Sequence, residues 1–195
     1  LASILRRSRM APRAIVIEDD HSGAIATAPV VSLATWLPER LLHVRSFSKT
    51  HGPDLRIGAL GGPREVVEKV IAQRLLGPGW TSRMIQSVLF DLLTNPDAVA
   101  QVATARRVYA ERQAGLADAL ARVGIRVRAG DGLNGWLAVA DERAATVSLA
   151  AAGIRVAPGT PFQLGPGDPH VRVTVGLVAT DVDTIASALA AAARA

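Results

Sequence analysis

"SFSKTHGPDLRIG", Ser46 to Gly58, decides how this chain is read. Lys49 stands at the end of a short apolar segment, "LLHVRSF" (41–47), with Ser46, Ser48 and Thr50 around it and Arg56 seven residues on. Such a segment, bounded by turn residues, reads as a buried strand. A lysine just past a strand becomes a nucleophilic amine when its neighbours depress its pKa. Hydroxyls and a guanidinium close by make a phosphate cradle. The stretch is not a P-loop, because the glycines that should precede the lysine are absent. Taken alone it fits equally well a surface lysine in a loop, where most lysines lie.

Upstream, "RAIVIEDDHSGAIA" (13–26) runs an apolar segment straight into Glu18, Asp19, Asp20 and His21. A strand ending in carboxylates opens onto a site. Adjacent acids suit magnesium, and "VIEDD" resembles the acidic pocket of a response-regulator receiver domain. That domain needs a phosphoacceptor aspartate some forty residues on, where the chain offers only "RIGALGG", with Asp54 stranded between Pro53 and Leu55. A solvated turn of acids stays open. Together the two stretches say more than either alone. One strand ends in a carboxylate, the next in a lysine thirty positions later, and an arginine lies beyond it. Pyridoxal phosphate needs that set: an amine for its aldehyde, hydroxyls and arginine for its phosphate, and a carboxylate that keeps the pyridinium nitrogen protonated.

The composition is that of a globular chain. Of 195 residues 49% are apolar and 20% charged, enough for one large domain or two small ones. The apolar stretches fall short of a membrane span, and "LASILRR" has its charges on the wrong side for a signal peptide. The absence of cysteine excludes disulfides, zinc–thiolate sites and iron–sulfur clusters, and with the lack of an export signal it points to the cytoplasm. The net charge of +5 is scattered, without the dense stripe of a nucleic-acid surface. His43, His51 and His170 have no ligand-like spacing, so no metal site is expected.

The pattern is α/β. Strands are expected at 14–18, 41–47 and "RIGAL" (56–60), after a helix end and loop over 1–12. Helices follow in "PREVVEKVIAQRLL" and from Thr81 to Leu93, and a long one runs from Asp97 to Val123. Beyond Gly124, "IRVRA", "GWLAV", "IRVAPG" and "HVRVTVGL" read as strands and "DERAATVSLAAAG" as a helix. A closing amphipathic helix is capped by Asp181 or Thr180. This gives a larger α/β layer over 1–96, a bridging helix over 97–123 and a small α/β domain over 124–195. Trp136 is expected in the core. "GPGWTSR" (77–83) is a glycine-rich turn in which Trp80 packs, or a loop touching cofactor or partner.

Here a resemblance becomes specific. "SFSKTHGPDLRIG" resembles the lysine motif of fold-type I aminotransferases, S-x-S-K-(x)6-R-x-G. "IEDDHSG" resembles the aspartate segment of the MocR branch of the GntR regulators, whose C-terminal domains are aminotransferase-like. "GIRVAPGTPF" and "PHVRVTVGL" are similar to small-domain strands of the same superfamily. The resemblance runs from Ala14 to the C-terminus. It implies the C-terminal part of a pyridoxal-phosphate-dependent transferase fold: part of the large-domain mixed sheet with its helices, plus a small α/β domain. It also implies roles. Lys49 is the Schiff-base lysine and proton shuttle, and Asp19 faces the pyridine nitrogen. His21 stands where the family has a tyrosine that bonds the cofactor's 3-oxygen. Ser46, Ser48 and Arg56 hold the phosphate, and Arg172 clamps a substrate carboxylate.

The function this implies is an effector-sensing domain of a MocR/GntR-type transcription regulator. It would bind pyridoxal phosphate as an aldimine, together with an amino acid or amine, and reach DNA through a winged-helix domain outside this chain. A homodimer is expected from the family. The alternative is a stand-alone aminotransferase moving an amino group between an amino acid and a 2-oxo acid. A purely structural dimerisation fragment is a third reading. The family's glycine-rich phosphate turn, ring-stacking aromatic and Pro-Gly-rich asparagine motif have no counterpart in Leu1 to Arg13. The expectation is therefore the C-terminal half or so of a longer protein, which on its own binds cofactor poorly and is inactive.

Overall fold

The computed structural model describes residues 1–8 and 14–195; part of the loop expected over 1–12 lies outside them. It divides into two compact units, Leu1–Ala103 and Thr104–Ala195, the boundary falling inside one long helix.

In the first unit, β1 (Val16–Asp20) pairs in parallel with β2 (Leu41–Ser46), which pairs antiparallel with β3 (Gly58–Gly61). Parallel neighbours need a long crossover, and residues 21–40 supply it with three short 3₁₀ turns instead of an α-helix. Ile25, Leu37, Leu41, Leu42 and Phe47 are buried there. α1 (Ala2–Arg7) is tied to this crossover by Arg6, whose Nη2 donates to the Trp36 carbonyl at 2.6 Å, and by Arg40, which donates to the Leu5 carbonyl at 3.1 Å. Two helices follow, α2 (Arg64–Arg74) and α3 (Arg83–Thr94). Ser82 caps α3, its hydroxyl accepting the Ile85 amide at 3.4 Å. The turn between them leaves Trp80 76% exposed, so this tryptophan does not pack.

α4 (Pro96–Arg122) begins at Asn95, whose side chain accepts the Asp97 amide at 2.9 Å. Proline at the first helical position costs nothing, because that amide has no intrahelical acceptor. In the second unit, β4 (Asn134–Ala138), β6 (His170–Thr174) and β5 (Ala157–Pro158) form an antiparallel sheet in the order β4–β6–β5. Alternation puts Leu137, Val171 and Val173 on one face. There they pack with Leu116 and Leu120 of α4, Ala145 and Leu149 of α5 (Glu142–Ala151), and Ala186, Leu189 and Ala192 of α6 (Val182–Arg194). Asp141 caps α5 through the Ala144 amide at 2.6 Å.

The expected cap of α6 is different. Asp181 is the N-cap residue but sits at φ +55° with no side-chain cap bond, and the Thr180 hydroxyl donates to Asp181 Oδ2 at 2.9 Å instead. "IRVRA" does not join the sheet. Trp136 is not core: it lies on the outward face and is 46% exposed. Among the described residues no helix is long and apolar enough to cross a membrane.

Candidate functional site

The site starts from the two-residue period of β1. Glu18 and Asp20 share one face of the sheet with their register partners His43 and Arg45, and Asp19 lies on the other, beside Val44. The first face is a closed polar network. Glu18 accepts from the Ser32 hydroxyl at 2.8 Å and the Leu33 amide at 2.7 Å, with His43 Nδ1 at 3.3 Å. Asp20 accepts the Gly23 amide at 2.9 Å and is paired with the Arg45 guanidinium. Burial alone would push both carboxyls up, and it is the largest single influence on each. The hydrogen bonds from Leu33, Ser32 and His43, and those from Gly23 and Arg45, together outweigh it and hold both below their ordinary values. Asp19 is exposed and has no hydrogen-bond or ion-pair partner among the described residues. His21, also exposed, follows two residues later.

The lysine turn grows from the end of β2. Phe47 is buried, and its carbonyl accepts the Thr50 amide at 3.3 Å and the His51 amide at 2.9 Å, so the chain reverses at once and leaves Lys49 exposed at the turn. Ser46 Oγ accepts the Ser48 amide at 3.3 Å. The loop then returns. After the Pro53–Leu55 turn, Arg56 takes the left-handed conformation at φ +48°, and the Phe47 amide donates to the Ile57 carbonyl at 3.4 Å. That bond sets Arg56 beside the end of β2. Since β1 and β2 are parallel, Asp19, His21, Ser46, Ser48, Lys49 and Arg56 all belong to one end of the sheet, the carboxyl end of its parallel strands, where open α/β sheets bind ligands.

Arg172 belongs to the second unit. It lies on β6 between its register partners Trp136 and Ala157, with its Cζ 4.3 Å from the centre of the Phe162 ring. Its Nε is buried with no hydrogen-bond partner among the described residues.

Sequence reading missed four members of these sites. His43 and Arg45 were legible as alternate residues of a strand, but nothing local tells that their partners are Glu18 and Asp20. Phe162 closes the "APGTPF" run and was given no role. His51 was set aside as a ligand, yet its Nδ1 lies 2.6 Å from the Thr50 hydroxyl and its ring meets Phe47 edge-on at 5.8 Å. Burial, and then the charge of Arg45, hold its pKa below the ordinary value.

A sheet whose carboxyl end carries carboxylate, lysine and arginine, followed by a small α/β unit, is the C-terminal architecture of fold-type I aminotransferases. No family model matches the sequence. The chain is 31% identical over 178 residues to the vitamin B6 salvage pathway transcriptional repressor PtsJ of Salmonella typhimurium, covering 90% of this chain and 41% of that protein. It superposes on a mutant aspartate aminotransferase of Thermus thermophilus with a TM-score of 0.85 and 24% identity, over 98% of this chain and 51% of that one. The α-aminoadipate aminotransferase LysN of the same organism, complexed with N-(5'-phosphopyridoxyl)-L-leucine, gives a TM-score of 0.75 at 22% identity, over 91% of this chain and 50% of that one. The chain thus spans about two fifths of the regulator and half of each aminotransferase. It belongs to the fold-type I aminotransferase-like family. Its likeness in sequence is thus to a transcriptional repressor and its likeness in fold is to aminotransferases.

Proposed function

We infer that this chain is part of the effector-sensing domain of a MocR/GntR-type transcription regulator that holds pyridoxal phosphate and an amino-acid-like ligand. One observation carries the reading. Asp19 and Lys49 belong to the same end of one sheet, and Asp19 alone of three consecutive acids is left without a partner among the described residues. The donor set fits the group: a free carboxylate, an exposed amine, and two hydroxyls with a guanidinium.

When bound, pyridoxal phosphate supplies an aldehyde that condenses with amines and a ring that withdraws electrons from them. The chain's own groups have separable tasks. Asp19 holds a proton at the pyridine nitrogen. Lys49 anchors the aldehyde carbon and moves a proton at the ligand's α-carbon. Ser46, Ser48 and Arg56 bind the phosphate, and His21 donates a hydrogen bond to the 3-oxygen. Arg172 takes the ligand's carboxylate, for which its unpartnered Nε is an available donor. The regulator works in the cytoplasm as a homodimer and contacts DNA through a winged-helix domain outside the residues described. A stand-alone aminotransferase is the weaker reading, since the curated relative is a repressor.

The test uses the full-length protein and the promoter DNA of its own locus. Pyridoxal phosphate should change the affinity for DNA in the wild type and not in Lys49→Ala. Equal DNA binding with and without cofactor in the wild type, alongside amino-group transfer to a 2-oxo acid, would establish the enzyme instead.

A further inference from the structure

Resting on the reading of Arg172 as a carboxylate clamp, we propose that Phe162 is the positioning residue that fixes the plane of this clamp, and so sets the preference for ligands bearing a carboxylate over the corresponding amines.

Arg172 Cζ lies over the Phe162 ring, 4.3 Å from its centre, so the ring packs against the guanidinium. A guanidinium covered on its face bonds only through its edges, all in one plane. Nε, buried and unpartnered, marks an edge that needs an acceptor. A carboxylate offers two oxygens in a single plane and satisfies Nε and a neighbouring Nη together; an amine offers no such pair. If the guanidinium rotates, the match is lost while its charge remains. The ring therefore governs selectivity more than it governs attraction.

The surroundings keep Phe162 from swinging away. Trp136 meets its ring edge-on at 5.8 Å, and His170 meets Trp136 edge-on at 6.0 Å. His170 Nδ1 lies 2.7 Å from the Asp168 carbonyl, which only accepts, so that nitrogen carries the proton and the imidazole is pinned. The backbone is held as firmly. Phe162 ends a 3₁₀ turn, Thr160–Phe162, and its amide donates to the Gly159 carbonyl at 2.8 Å. The Gly159 amide donates to the His170 carbonyl, also at 2.8 Å, and a Cβ at Gly159 would lie 2.5 Å from that oxygen. Only glycine lets the turn approach β6 so closely. From the other side Glu142, at the start of α5, accepts the Thr160 amide at 2.7 Å and its hydroxyl at 2.6 Å. A lone surface phenylalanine, 45% exposed, needs none of this.

The experiment measures ligand affinity by calorimetry on the full-length protein loaded with pyridoxal phosphate. L-Alanine is compared with ethylamine, and L-phenylalanine with 2-phenylethylamine. The readout is the acid-to-amine affinity ratio in wild type, Phe162→Leu, Phe162→Tyr and Arg172→Gln. Because both ligands of a pair are measured on the same variant, a general loss of folded protein cancels. Phe162→Leu should lower the ratio about tenfold, the size of a cation–π contact at a partly desolvated site. Phe162→Tyr should keep it, and Arg172→Gln should abolish it. A wild-type ratio in Phe162→Leu, or an equal loss in Phe162→Tyr, overturns the role of Phe162 and leaves Arg172 as the clamp. No preference in the wild type, or none lost in Arg172→Gln, removes the clamp itself and this proposal with it.

Discussion

Asp20 and Arg45, register partners on the parallel strands β1 and β2, form an ion pair on the face of the sheet that Asp19 does not use. Two neighbouring acids are thereby given different work. Asp20 is committed to the fold, through Arg45 and the Gly23 amide, whereas Asp19 is exposed and without a partner among the described residues, which is why we propose it as the ligand's carboxylate.

The two substitutions should separate accordingly. Asp20→Asn leaves Arg45, itself only 27% exposed, without its counter-charge and should cost roughly 2 kcal/mol of stability. Asp19→Asn should leave the urea midpoint unchanged and weaken cofactor binding at least tenfold, since the pyridinium nitrogen loses its partner. Equilibrium unfolding and cofactor titration of the two variants check both halves.

Acid should loosen this region in a defined window. The folded-state carboxyls of Glu18 and Asp20 lie below their ordinary values of 4.5 and 3.8. Their contribution to stability is therefore fully present above those values and is lost as the pH falls through the lower folded ones. His51, also lowered from 6.5, acts earlier: below that value the unfolded chain takes up a proton that the folded imidazole resists, so stability falls with pH there too. Urea midpoints across pH should show a first decline that His51→Gln removes and a second that Asp20→Asn reduces.

Glycines in the second unit should respond in opposite directions to alanine. At Gly159 the new Cβ meets the His170 carbonyl at 2.5 Å, and the strain should cost about 2 kcal/mol or more. At Gly115, inside α4, no atom beyond its chain neighbours and its own helix backbone lies within 4 Å of the new Cβ, and removing a helical glycine should add about 0.5–1 kcal/mol. Thermal unfolding of the two variants is the check.

The α/β class and the order of the main elements were legible because they rest on period and punctuation. What escaped depended on distant partners. The first strand was expected to stop at Glu18, yet β1 continues to Asp20, because Ser32, Leu33, Gly23, His43 and Arg45 satisfy its acids. "IRVRA" alternates as a strand should but finds no neighbouring strand to pair with, though Ile125 and Val127 still pack against the core. "IRVAPG" forms a strand only over Ala157–Pro158, the two residues that pair with β6. Trp136 was misplaced because periodicity in a five-residue strand does not say which face is inside. The site divides the same way. Lys49, Arg56 and the acidic cluster over 18–20 stand out by their order along the chain, and the resemblance singles out Asp19, whereas Phe162 gains meaning only when Arg172 is seen resting on it.

The central claim is that Lys49 carries the cofactor, and within these 195 residues it has one competitor, Lys69. Lys69 is engaged with Glu65 on the surface of α2. The full-length protein is incubated with pyridoxal phosphate, reduced with borohydride, digested and mapped by mass spectrometry. A single stoichiometric pyridoxyl group on Lys49, absent from Lys49→Ala and much reduced in Asp19→Asn, is the predicted result. Label on Lys69 at equal yield, or no label on Lys49, would contradict it.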